Sequence, residues 1–123
     1  MIEQKKYDLV VWGATGFTGQ LVCEYLASNY NVNYDSDLRW AIAGRNQAKL
    51  ENIRADLIKK NNGKGNLPVL IGDSHKVESL VEITAQTKVV LTTVGPYLHY
   101  GETLVSACIT TGTHYCDITG EIP

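Results

Sequence analysis

No apolar run in the sequence approaches the roughly 20 residues that a membrane-spanning helix needs, so no such helix is expected. Basic runs are missing as well: 11 Lys and Arg are scattered among 13 Asp and Glu, for a net charge of −2. A nucleic-acid surface needs a basic stripe, so no nucleic-acid partner is expected. Cysteine is scarce and odd in number, with Cys23, Cys108 and Cys116 at no metal-ligand spacing. That excludes a disulfide framework and a zinc knuckle, and the expectation is three reduced core thiols. The opening "MIEQKKYDLVVWG" has neither the long apolar region nor the small-residue cleavage site of a signal peptide, so the expected location is cytoplasmic. What is present is ordinary for one globular domain: 123 residues, 44% hydrophobic and 20% charged, enough for a real core.

Short apolar runs alternate with amphipathic stretches. Strands are expected at "DLVVW" (8–12), "LRWAIA" (38–43), "LPVLI" (67–71), "KVVLTT" (88–93) and "HYCDI" (114–118), all too short for helices. Helical faces lie between them. They are Leu21, Val22, Tyr25 and Leu26; Leu50, Ile53, Leu57 and Ile58 behind Asn46 as N-cap; Val77, Leu80, Val81 and Thr84 behind Ser74; and Leu104, Val105, Cys108 and Thr111 ahead of Gly112. Such alternation means parallel strands joined by right-handed crossovers. The fold class is α/β: a Rossmann-type open sheet of five strands in the order 3-2-1-4-5, with helices on both faces. Polar stretches at 28–37 and 59–66 read as solvated loops.

Between the first strand and the first helix stands Gly13-Ala14-Thr15-Gly16-Phe17-Thr18-Gly19. Gly13 suits a tight turn, Gly16 lets backbone approach a pyrophosphate, and Gly19 allows close helix–sheet packing. The helix start offers unpaired N–H groups and a positive dipole end, with the amides of Phe17 and Thr18 as the expected phosphate contacts and the hydroxyls of Thr15 and Thr18 as further donors. The Gly-Lys-Ser/Thr ending of a nucleoside-triphosphate loop is absent.

The second strand closes on Gly44-Arg45-Asn46. An Asp or Glu there reads the ribose 2′-hydroxyl of NAD; Arg45 instead suits a 2′-phosphate, with Lys49 one turn on, and so points to NADP over NAD. After the third strand, Asp73 can accept from the adenine amino group beside Ser74, and either residue equally suits the cap of the third helix. After the fourth strand, Val94, Gly95, Pro96 and Tyr97 fall at the crevice beside strand 1, where backbone passes under the nicotinamide ribose.

Together GATGFTG (13–19), AGR (43–45), VGPYxxYG (94–101) and THYxDxTGE (113–121) resemble the N-terminal NADP-binding domain of the saccharopine dehydrogenase-like oxidoreductases. Thr92-Thr93 stands where that family often carries Asn-Cys. The resemblance covers essentially the whole chain. It implies that residues 1–123 are the cofactor domain of a protein several times longer, with a substrate and dimerisation domain to follow, and hence a homodimer. It also implies a small-molecule substrate, an amino-acid-derived imine or a lipid intermediate, and for the full-length protein it raises membrane or lipid-droplet association. A non-catalytic NADP sensor or lipid-associated scaffold is the alternative.

No catalytic group is identified by sequence. None of the seven tyrosines has Lys four residues on, which removes the Tyr-x-x-x-Lys general acid. Tyr97, His99 and Tyr100 near the nicotinamide, and Asp117 and Glu121 after the fifth strand, are candidates by position alone. No metal constellation is present. The fifth strand, with Tyr115 and Cys116, is expected as an exposed edge prone to self-association.

Overall fold

The computed structural model describes residues 5–30, 38–61, 63, 65–73, 76–93 and 97–117, with backbone alone at 97–102. Runs rich in Val, Ile and Trp form the strands β1 (Tyr7–Trp12), β2 (Trp40–Gly44), β3 (Val69–Ile71), β4 (Thr87–Thr92) and β5 (His114–Asp117). Between them lie the helices α1 (Phe17–Tyr30), α2 (Gln47–Lys60), α3 (Val77–Thr84) and α4 (Tyr97–Thr111). All five strands pair in parallel in the order β3-β2-β1-β4-β5, as the alternation predicts. The chain builds outward from β1 to β3, then crosses to the other side of β1. That reversal leaves a crevice at the carboxyl ends of β1 and β4.

The period of two along each strand divides the core. Val10, Trp12, Ala41, Ala43 and Val90 face α3 and α4, where Leu80, Ile83, Leu104, Ala107 and Cys108 complete the layer. Val11, Trp40 and Ile42 face α1 and α2, meeting Cys23, Leu26, Leu50 and Leu57. All of β2 is buried, which explains why it reads as a continuous apolar run rather than an alternating one. Trp12 is registered against Ala43, a large residue beside a small one on the same face.

Threonines stitch the far end of the α3/α4 layer. The Thr113 hydroxyl donates to the Thr84 carbonyl at 2.6 Å, and Thr84 Oγ1 donates to the Ala107 carbonyl at 3.2 Å while accepting from Thr111 Oγ1 at 2.9 Å. These bonds satisfy hydroxyls that would otherwise be costly inside the protein. Gly112 has φ 67° just past α4, the left-handed helix end that its position predicts.

Five local expectations are corrected. On α1 the buried residues are Gly19, Cys23 and Leu26, whereas Leu21 and Tyr25 are 50% and 63% exposed. The face is chosen by the close approach at Gly19 rather than by the largest apolar side chains. At α3 the N-cap is Lys76, with no side-chain cap. The Asp73 amide instead donates to Ser79 Oγ at 2.9 Å, so Asp73 is not the cap, and Ser74 lies outside the described residues. The fourth helix starts at Tyr97, so Tyr97, His99 and Tyr100 belong to a helix and not to a loop. Glycine in a helix interior costs about 1 kcal/mol relative to Ala, and α4 nevertheless runs through Gly101. Finally, Cys116 is exposed on the edge strand while Cys23 and Cys108 are buried. Of the two expected loops, 28–30 continue α1 and 59–60 continue α2, and residues 31–37 lie outside the described set.

Burial pushes the Cys23 thiol up to about 12 and the Cys108 thiol to about 11. Since the thiolate is the reactive form, a thiol reagent at neutral pH should label Cys116 rapidly, and Cys23 and Cys108 only on unfolding. Mass spectrometry of labelled peptides checks this.

At the amino ends of three adjacent strands, Asp8 meets Arg39 Nη2 at 3.2 Å and Lys88 Nζ at 3.3 Å, and accepts from the Arg39 amide at 3.0 Å. Burial alone would raise its pKa, but the Arg39 amide, the Arg39 guanidinium and Lys88 together hold it below the ordinary 3.8. The carboxylate therefore stabilises the fold above that ordinary value, and the contribution disappears as pH falls through the lowered one. In urea titrations, Asp8→Asn should be less stable than wild type at pH 7 and should lose less stability on acidification.

Candidate cofactor site

The turn after β1 is built around Gly13, which has φ 87°, a conformation that glycine adopts without strain. Its N–H donates to the Ala43 carbonyl of β2 at 3.0 Å, and its carbonyl accepts from the Gly16 amide at 3.2 Å. The first α-helical bond of α1 is Gln20 N–H to Gly16 O at 2.9 Å. The amides of Phe17, Thr18 and Gly19 consequently find no acceptor among the described residues, and they open onto the carboxyl edge of the sheet. The Gln20 side chain donates to the Thr15 carbonyl at 2.9 Å and braces the turn from the helix side.

The three glycines are required for different reasons. A Cβ on Gly19 would strike the Gly13 carbonyl oxygen, and would lie 2.8 Å from Ala14 Cα and 2.9 Å from Thr93 Oγ1. Backbone cannot yield there, so Gly19 is a packing requirement. A Cβ on Gly16 would touch only the Gly13 carbonyl oxygen, at 3.7 Å. Neither φ nor protein packing asks for glycine at 16, and the space in front of it is a cradle that a Cβ would narrow. That fits a phosphate approaching the backbone.

β2 delivers Arg45 to the same edge. Gly44 ends the strand, Arg45 is exposed and makes no ion pair among the described residues, and Asn46 caps α2 by accepting from the Lys49 amide at 3.0 Å. The cap is the one expected, and it commits Asn46 Oδ1. Lys49 is exposed one turn beyond Arg45, so two cations and no carboxylate stand at the end of β2. Asp73 is half-buried after β3, beyond β2 from the glycine turn. The sheet thus brings Gly13, Thr15, Gly16, Phe17, Thr18, Gly19, Arg45, Asn46 and Asp73 to one edge. The backbone of Tyr97 enters α4 past the end of β4, while Val94, Gly95 and Pro96 lie outside the described residues. Asp117 ends β5 on the same edge, registered against Thr92, and Glu121 lies outside the described residues.

Sequence reasoning missed one member of the site. Thr93 follows β4, and its hydroxyl donates to the Gly13 carbonyl at 3.0 Å. A polar residue at the end of a buried strand, next to the central turn, was the available signal. Among the described residues, no group of three His, Cys, Asp or Glu could hold a metal ion. A groove of about 200 Å³ between α1 and α2, lined by Glu24, Leu57 and Lys60, is remote from the glycine turn. It falls short of the roughly 300–1,000 Å³ typical of ligand pockets.

Residues 9–122 match the family described as the saccharopine dehydrogenase NADP binding domain. The chain belongs to that family. This NADP-binding domain is 42% identical over 120 residues to a trans-acting enoyl reductase of Mycobacterium leprae, covering 98% of the chain and 27% of the relative. It is 42% identical over 123 residues to a saccharopine dehydrogenase-like oxidoreductase of Mus musculus, covering 97% of the chain and 29% of the relative. The domain thus spans little more than a quarter of the relatives' length. Its fold is shared with the saccharopine dehydrogenase (L-Glu forming) of Saccharomyces cerevisiae, with a TM-score of 0.68 at 22% identity over 95% of the chain and 22% of that protein. A Citrobacter triphenylmethane reductase solved with NADP(H) has the same TM-score of 0.68 at 23% identity, covering 89% of the chain and 36% of that protein. The domain is therefore a Rossmann-type NADP-binding unit of an oxidoreductase family, as its sequence motifs imply.

The packing at Gly19 sets a test. Gly19→Ala forces two backbones apart and should destabilise the domain by about 3 kcal/mol, the upper end of overpacking costs. Urea unfolding measures the loss.

Proposed function

We propose that this domain holds NADP(H) along the carboxyl edge of its sheet and serves hydride transfer in a larger oxidoreductase, with the acceptor bound by sequence outside the domain. The observation that carries the reading is the division of labour among the glycines. Gly13 is explained by its φ and Gly19 by packing, whereas Gly16 fronts open space beside amides that have no acceptor among the described residues. In this reading the Phe17 and Thr18 amides, with the Thr15 and Thr18 hydroxyls, receive the pyrophosphate. Arg45 takes the 2′-phosphate as a planar fork, with Lys49 adding charge. Asn46 and Asp73 flank the adenosine half, with Ser74, and the segment Val94–Tyr97 flanks the nicotinamide half.

The cofactor, when bound, supplies the hydride; the chain supplies orientation and electrostatics. Relatives named as enoyl reductases and as saccharopine dehydrogenase-like oxidoreductases support an acceptor with a polarised double bond, C=C or C=N. The same length relation supports an acceptor site beyond this domain, since the relatives are more than three times as long.

The test is calorimetric titration with NADP⁺ and NAD⁺, on wild type, Arg45→Asp and Gly16→Ala. Wild type should prefer NADP⁺ by on the order of 10- to 100-fold, the worth of a charge-assisted hydrogen bond of about 1.5–3 kcal/mol. Arg45→Asp should abolish that preference. Gly16→Ala should keep stability within about 1 kcal/mol of wild type while weakening both dinucleotides. Equal affinity for NADP⁺ and NAD⁺ in wild type would overturn the role given to Arg45. Nicotinamide absorbance with an enoyl thioester, and with a 2-oxo acid plus an amine, then separates the C=C and C=N classes in the full-length protein. Binding without turnover of either would favour a sensor.

A further inference from the structure

We propose that Thr93 is a positioning residue for the cofactor's pyrophosphate, acting through the glycine turn; the proposal rests on the cofactor reading above. The backbone of Thr93 continues the sheet, with its N–H donating to the Trp12 carbonyl at 3.1 Å. Its side chain then reaches sideways. Thr93 Oγ1 lies 3.0 Å from the Gly13 carbonyl oxygen and 3.4 Å from that of Trp12. The Gly13 carbonyl is also the acceptor for the Gly16 amide, the bond that closes the turn. One hydroxyl from β4 therefore fixes the carbonyl on which the conformation of residues 13–16 depends.

The space Thr93 occupies is one that Gly19 leaves open: a Cβ on Gly19 would lie 2.9 Å from this hydroxyl. The β1 turn, the first turn of α1 and the end of β4 thus converge on a single oxygen. The amides of Phe17 and Thr18 follow directly from that junction, and a change in the direction of the Gly13 carbonyl reorients them. A methyl group cannot take the hydroxyl's place. Carbon approaches a carbonyl oxygen no nearer than about 3.3 Å, so a valine would push Gly13 outward as well as losing the bond. Thr93 needs no contact with the cofactor to act in this way.

The effect is specific to one half of the ligand. Arg45 stands at the end of β2, on the other side of β1, and among the described residues no hydrogen bond joins it directly to Thr93. Loss of the hydroxyl should therefore weaken recognition of the pyrophosphate and spare that of the 2′-phosphate.

The experiment titrates the full-length protein with NADP⁺ and with 2′-AMP, which carries adenine and the 2′-phosphate but no pyrophosphate. Thr93→Val should weaken NADP⁺ by about five- to tenfold, the scale of one lost hydrogen bond, and leave 2′-AMP within about twofold of wild type. Thr93→Ser, which keeps the hydroxyl, should bind NADP⁺ within about twofold of wild type. Should Thr93→Val not fold, Thr93→Ala makes the same comparison without the added methyl contact. NADP⁺ affinity unchanged without the hydroxyl, equal losses for NADP⁺ and 2′-AMP, or no rescue by serine would each overturn the proposal while leaving the cofactor reading intact. A wild-type protein that binds no NADP⁺ would overturn both.

Discussion

The peptide of Gly13 is the point on which the rest of this structure depends. Its N–H is held by β2 and its carbonyl by the side chain that follows β4, so the turn straddles the three central strands of the sheet. Two consequences follow from that anchoring. The helix that leaves the turn must start close against the sheet, which only a glycine at 19 permits. The first amides of the same helix are then left pointing along the sheet's carboxyl edge, because no preceding carbonyl is available to them. A structural constraint at residue 13 and a binding opportunity at residues 17 and 18 are the same event seen from opposite sides.

The two edges of the sheet are used in contrasting ways. At the amino ends of the strands, polar groups are paired with one another: Asp8 with Arg39 and Lys88, and the threonines of α3, α4 and the entry to β5 among themselves. At the carboxyl ends, donors and cations are left open, with exposed Arg45 and Lys49 and the first amides of α1, which have no acceptor among the described residues. A parallel sheet covered on both faces has only its ends to offer to a ligand, and here one end is satisfied internally while the other is not.

The architecture was legible because each strand is too short and too rich in β-branched and aromatic residues to be a helix, and because the alternation of elements leaves few topologies. Asn46, Gly112 and the roles of Gly13 and Gly19 could be read for the same reason, since each residue type solves a local backbone problem. What escaped the sequence was decided by packing between elements. Leu21 and Tyr25 form as good an apolar row as the buried one, and only the contact at Gly19 selects between them. Asp73 has the chemistry of a cap, yet its own amide donates to the Ser79 hydroxyl and the helix begins after Lys76. Thr93 looked like a departure from a familiar pattern, and its partner is 80 residues away in sequence.

The two tryptophans are placed one on each side of the sheet, Trp12 in the layer under α3 and α4 and Trp40 in the layer under α1 and α2, both almost fully buried. The molecule therefore carries an intrinsic optical reporter in each half of its core. Trp12 has a further property, because its carbonyl is held by Thr93 and its neighbour is Gly13. The Trp12 indole lies in the layer under α3 and α4 while its backbone leads directly into the glycine turn, whereas Trp40 opens β2 in the opposite layer. The same pair of residues that fills the core thus places one indole next in sequence to the turn and the other in the layer across the sheet.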